Sequence, residues 1–174
     1  MPQQIFPSPA VRWAQQQLSQ YGQVGATQIV IVPALSAPIP AGAGVLRQPP
    51  QLSWPDPGTI IAMYGQVRKG DSPAYAQMDV RLQFPGDRDF ITNGNAGDFA
   101  PMLALFGPNT NWFSMLKRVK RADNWQLTYR NQDTVNPAFP SVLFAFIGDA
   151  DLPALEAEYQ AAMAEQAARR AAAR

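Results

Sequence analysis

The chain has 174 residues, 47% of them hydrophobic, enough for one sizeable core and so for one main domain with appendages. Its 14 basic and 13 acidic side chains leave a net charge of +1, so no long-range field steers it toward nucleic acid or an anionic membrane. Histidine and cysteine are both absent, which excludes Ser-His-Asp and Cys-His nucleophilic machinery, imidazole acid/base work, disulfides and the commonest zinc ligand sets.

In chain order, the start MPQQIFPSPA has neither the basic nor the apolar region of a secretory signal, and the expectation is a chain made in the cytosol. SPAVRWAQQQLSQYG then carries the punctuation of a helix: Ser8 as cap, Pro9 in the first turn, Gly22 as stop, and Val11, Ala14, Leu18 and Tyr21 along one stripe. TQIVIV is short and β-branched and reads as a strand. Up to residue 67 the only charges are Arg12, Arg47 and Asp56, and seven prolines lie from Pro33 to Pro57. Each proline fixes φ and removes a donor, so this stretch is expected to run as an extended arm. A mobile linker is the plain alternative. The arm holds Ile39, Val45, Leu46, Leu52 and Trp54, however, and docking them on the chain's own domain or on a neighbouring subunit removes apolar area from water.

GTIIAMYGQV is strand-like, and in YAQMDVRLQF the residues Ala76, Met78, Val80, Leu82 and Phe84 alternate strictly with polar ones. With RKGDSP between them, the two runs predict a hairpin. DFAPMLALFG predicts a short helix capped by Asp98 and stopped by Gly107. A second strand pair is expected from Asp123 to Arg130 and from Ser141 to Ile147. The tail from Asp151 on is a helix by propensity, with the apolar stripe Leu152, Leu155, Tyr159 and Met163 and its arginines late, where they complement the macrodipole. The expected fold is mainly β, or α+β: an antiparallel sandwich or distorted barrel with an N-terminal helix, an extended Pro-rich arm and a C-terminal helix. The boundaries are 1–58 for helix, short strand and arm, 59–148 for the β-rich core, and 149–174 for the Ala-rich helix.

Motifs for chemistry are weak. The polar loop from Asp87 to Asp98 offers hard oxygen ligands, but Ile91 stands where a calcium loop needs Asp or Asn, and no Glu closes it. Ser114 to Lys117 reads SMLK without its companion motifs. The carboxylate pairs Asp149/Asp151 and Glu156/Glu158 read as helix-start and helix-surface residues rather than as a glycosidase pair. Lys117, Arg118, Lys120 and Arg121 follow Trp112 and Phe113, a grouping that suits a polyanion or an acidic partner, with a solvated face as the simpler reading. The longest apolar stretch, near Ile29 to Leu35, is broken by Pro33 and falls short of the roughly 20 residues of a membrane span.

In general build, a β-rich core with an uncharged Pro/Gln-rich arm and an Ala-rich helical tail resembles bacteriophage virion proteins of the capsid-associated or decoration type. The resemblance is one of style over the whole chain and rests on no family motif. It implies a non-enzymatic structural subunit, made in a host cytoplasm and located in the virion, whose partners are copies of itself and other structural subunits, with no cofactor and no nucleic acid. The residues expected at subunit contacts are Val45, Leu46, Leu52, Trp54, Leu155, Tyr159 and Met163. The alternative is a ligand-binding β-sandwich module, with carbohydrate as a candidate ligand and Trp54, Trp112 or Tyr64 as stacking platforms.

Overall fold

A computed structural model describes residues 7–31, 35, 37–42, 45–47, 52–54, 56–67, 77–83, 99–107, 111–121 and 123–173. Helix α1 spans Pro9–Tyr21, α2 Met102–Phe106 and α3 Leu152–Ala172. The strands are β1 Gln28–Ile31, β2 Val45–Arg47, β3 Leu52–Ser53, β4 Gly58–Val67, β5 Met78–Gln83, β6 Ala100–Pro101, β7 Phe113–Val119, β8 Asn124–Asn131 and β9 Pro140–Gly148. They form two antiparallel sheets. The first has the order β1-β9-β4-β7; the second has β2-β8-β5-β6, with β3 also paired to β8.

One apolar cluster draws on both sheets, taking Ile60, Met63, Phe144 and Phe146 from the first and Met78, Val80, Leu82, Trp125 and Leu127 from the second. Each such side chain, fully buried, contributes about 1.5–3 kcal/mol. The opposite face of the first sheet is buried as well. Ile61, Ala62, Ala145 and Ile147 lie there under Ala10, Val11, Ala14 and Leu18 of α1 and Leu155 of α3. Small residues on both sides of this contact let helix and sheet approach closely, the condition for efficient packing.

Strand β4 turns two consecutive residues to the helices because it carries an irregularity. Its register to β7 and β9 shifts between Ile60 and Ala62, so Ile61 and Ala62 both face the helices while Ile60 and Met63 both face the other sheet. Such a bulge breaks the ladder and strands backbone groups. Gln15 of α1 repairs it: its amide Nε2 donates to the carbonyls of Ile61 at 2.8 Å and Met115 at 3.0 Å.

Local signals account for α1. The Ser8 hydroxyl accepts from the Val11 N–H at 3.3 Å, Pro9 opens the helix, and Gly22, at φ 75°, ends it. Helix α2 is shorter than expected. It starts after Pro101, and Asp98, the expected cap, lies outside the described residues. Gly107 stops it, and Phe106 packs so close over Gly65 that a Cβ there would sit 2.3 Å from the ring.

Both expected hairpins are corrected. β4 pairs with β7 and β9, whereas β5 pairs with β6 and β8, so the two strands that flank RKGDSP belong to different sheets. In the same way β8 belongs to the second sheet and β9 to the first. Alternation reports a buried face, and two strands on opposite sheets facing one core carry the same alternation as two strands in one sheet. Met78, Val80 and Leu82 are fully buried as expected, while Tyr75, Ala76 and Phe84 lie outside the described residues. The proline-rich arm supplies edge segments of its own second sheet, with Val45–Arg47 opposite Tyr129–Asn131 and Leu52–Ser53 opposite Asn124–Trp125.

Replacing Gln15 by Ala leaves two strand carbonyls unpaired beneath α1 and is expected to cost about 1–3 kcal/mol. The check is the urea midpoint at unchanged slope, with Gln17→Ala on the same helix as a control expected to stay within about 0.5 kcal/mol.

Candidate functional site

The expected contact residues separate into three groups. Trp54 is 2% exposed and lies inside the chain, edge-on to Trp125 at 4.6 Å and stacked on Phe146 at 5.6 Å. It is neither a subunit contact nor a stacking platform. Leu155 is likewise fully buried, under α1 and against the first sheet. Both are corrections with one cause: an isolated apolar residue in a proline-rich arm or on a helix stripe is drawn first to the chain's own core. Tyr159 and Met163 are half-buried, and Tyr159 packs against Trp13 with ring centroids 6.1 Å apart. The side chains of Val45, Leu46 and Leu52, like the loop from Asp87 to Asp98, lie outside what the structure describes; Val45 and Leu46 are in β2 and Leu52 is in β3.

The basic cluster is divided. β7 is an edge strand of the first sheet, a place where charged side chains discourage unwanted pairing. Met115 and Val119 point to the inter-sheet core and Leu116 to the helix side, so Lys117 and Arg118 leave the strand in opposite directions. Arg118 makes a two-pronged ion pair with Asp149. Lys120 and Arg121 sit in the turn to β8, which closes through the Lys120 N–H on Asp123 Oδ2 at 2.8 Å and the Asp123 N–H on the Lys120 carbonyl at 3.0 Å. The four cations therefore share no single face. Alternation also separates Ser114 from Lys117, so the S-x-x-K pattern does not converge.

The carboxylates considered for catalysis have structural partners or stand apart. Asp149 holds Arg118, and Asp151 Oδ2 accepts from the Gln28 amide at 3.0 Å. Among the described residues no group of three Asp, Glu, His or Cys side chains is placed to hold a metal ion, and no helix is long and apolar enough to cross a membrane. Tyr64 and Trp112 meet at 5.4 Å, both half-buried.

A polar latch, which the sequence did not reveal, ties the arm to the body. Buried Asn131 donates to the carbonyls of Asn136 at 2.8 Å, Pro40 at 3.2 Å and Ile39 at 3.3 Å, and its own oxygen accepts from the Asp133 N–H at 3.0 Å. Ile39 and Ala138 exchange backbone hydrogen bonds at 2.8 and 3.0 Å, and the Gly42 N–H reaches the Asp133 carbonyl at 2.7 Å. Asp133 accepts from the N–H groups of Asn136 and Val135 and from the Asn136 amide. These donors, the Asn136 N–H first, hold its carboxyl below the usual Asp range. In the core, burial pushes the Tyr129 phenol well above its ordinary pKa.

The surface with most scope for recognition is the helical layer over the first sheet. Only Leu155 of the 21 residues of α3 is fully buried, and from Ala164 to Ala172 every residue is exposed. Three grooves surround Trp13, with volumes of about 450, 510 and 620 Å³. Comparison with protein-family models, with curated proteins and with solved structures gave no match.

A carboxyl whose folded pKa is depressed adds stability that is complete above its unfolded value, about 3.9, and lost as pH falls through the folded value. Asp133→Asn should therefore be less stable than the parent at neutral pH, and the gap should close as pH drops below about 4. Urea midpoints across that range read it, and a gap independent of pH would show that Asp133 is not so held.

Proposed function

We propose that the chain is a non-enzymatic structural subunit of a multi-copy assembly of the phage-virion kind, and that α3, rather than the arm, makes the contacts. One observation carries this reading. Ala154, Ala157, Ala161, Ala164, Ala168 and Ala171 recur at alternating spacings of three and four along α3, and all six are exposed on the side away from α1 and the first sheet. That spacing is a heptad seam, the pattern by which one helix packs on another, and small side chains let the two axes come close. The two and a half exposed turns from Ala164 to Ala172 gain little from their own body. A helix from another subunit would supply the missing contacts.

The border of the seam supports a protein partner. Glu158 and Glu165 line one side and Gln160 the other, so the face itself is uncharged while its rim is polar, as at many protein interfaces. We read the two sheets as facing layers of a β-sandwich, supported by the cluster they share, with the helical layer outside. In this reading the body is rigid and complete within one chain, and the arm belongs to it through the Asn131 latch.

Light scattering on the purified chain, from micromolar to millimolar, should show association that rises with concentration. Ala161→Glu with Ala168→Glu should abolish it while leaving the thermal midpoint of the monomer nearly unchanged, since exposed substitutions each cost within about 0.5 kcal/mol. A parent chain that stays monomeric throughout would overturn the proposal.

A further inference from the structure

We infer that α3 docks on a second copy of this chain, on the half of the first sheet's outer face that no described helix covers. This rests on the assembly proposed for α3 and names the surface that the helix meets. α1 and the start of α3 cover Ile61, Ala62, Ala145 and Ile147. The same face continues along β4 and β9 through the cross-strand pairs Tyr64–Leu143 and Gln66–Ser141. Tyr64 and Leu143 are half-buried and belong to neither apolar cluster, and Gln66 is exposed. On the β7 side, exposed Ser114 lies opposite Ala62, and the Trp112 ring meets Tyr64 at 5.4 Å.

Strip and helix each lack what the other supplies. The two rows of the strip lie roughly 7 Å apart along the strands, and with their side chains they give a floor about as wide as one helix, ~10 Å. Tyr64 and Leu143 stand up from that floor, so a helix faced with large residues would be held off, whereas alanines leave room for them. α1 packs on the adjoining half through Ala10 and Ala14. Among the described residues the other helix with an alanine face is α3, and from Ala164 to Ala172 its own chain leaves every residue exposed. A helix laid on the strip also lies beside α1, because Trp112 packs against the cluster under that helix. The seam then meets helix and sheet together.

Charge points the same way. Tyr64, Gln66, Trp112, Ser114, Ser141 and Leu143 are uncharged, as are the seam alanines, so the contact desolvates no ion. Glu165, at the border of the seam, is paired with Arg169 of its own helix at 2.6 Å. A nucleic acid would find no counter-charge on this strip. Helix and strip are different surfaces, so the contact is heterologous: two copies that exchange helices close a pair, and copies that do not run on as a row.

The chain has no cysteine, so single cysteines report the contact. A Ser114→Cys chain is mixed with a ¹⁵N-labelled Ala168→Cys chain, both positions being exposed, and treated with a short bismaleimide; mass then separates mixed dimers from like ones. Mixed dimers should prevail, and should be rare when Thr134→Cys, exposed on the latch loop, replaces Ser114→Cys. In light scattering, Gln66→Arg with Ser114→Arg should weaken association at least tenfold with an unchanged thermal midpoint. Three results overturn the inference while the assembly through α3 stands: like dimers of Ala168→Cys in excess, which mean seam on seam; mixed dimers no more frequent than with Thr134→Cys; or a strip variant that associates as well as the parent. A parent that stays monomeric overturns both.

Discussion

Strands β4 and β9 carry large apolar side chains on both faces, and most of the other elements are placed by the need to cover them. On one side the second sheet closes over Phe144, Phe146 and Met63. On the other, α1 and the start of α3 close over Ala145, Ile147 and Ile61. A regular strand turns alternate residues to alternate faces, and β4 departs from that rule at Ile61. The bulge serves both layers at the cost of unpaired carbonyls, and Gln15 restores their hydrogen bonds from the helix above. Helix, bulge and edge strand β7 are thus held by one side chain.

The arm is governed by a second constraint. Its prolines keep it out of a sheet interior, yet its short proline-free stretches, Val45–Arg47 and Leu52–Ser53, lie along the edge of the second sheet. Trp54 fills the space between the sheets, and Asn131 and Asp133 fasten the turn before β2. Two of its apolar residues, Ile39 and Trp54, enter the core shared by the sheets, where an ionised group would be costly to desolvate.

Much of this was legible one element at a time. The caps of α1, the buried alternation in β5 and the stop at Gly107 follow from local stereochemistry, which a sequence displays directly. Strand pairing was not legible, because alternation names a face and not a partner; that is why the strands of both expected hairpins belong to different sheets. In β7 the charges of Lys117 and Arg118 mask the strand period that Phe113, Met115 and Val119 keep. The fates of Trp54 and Leu155 show the same limit, since composition cannot tell an intermolecular anchor from a core residue. The alanine heptad on α3 was in plain view, but its meaning depends on which face the body already covers.

The helical layer thereby has two characters. Where α3 meets α1 it belongs to the core and borders the grooves around Trp13; beyond, it leaves the body as a helix with a clean alanine seam. Native-state hydrogen exchange on the dilute, monomeric chain tests this arrangement most directly. Amides of β4 and β9 should exchange only through global unfolding, and those from Ala164 to Ala172 through local fraying many times faster. If β4 opened by itself, or if the distal half of α3 were as protected as β9 in the monomer, the doubly covered sheet and the free helix would both be wrong.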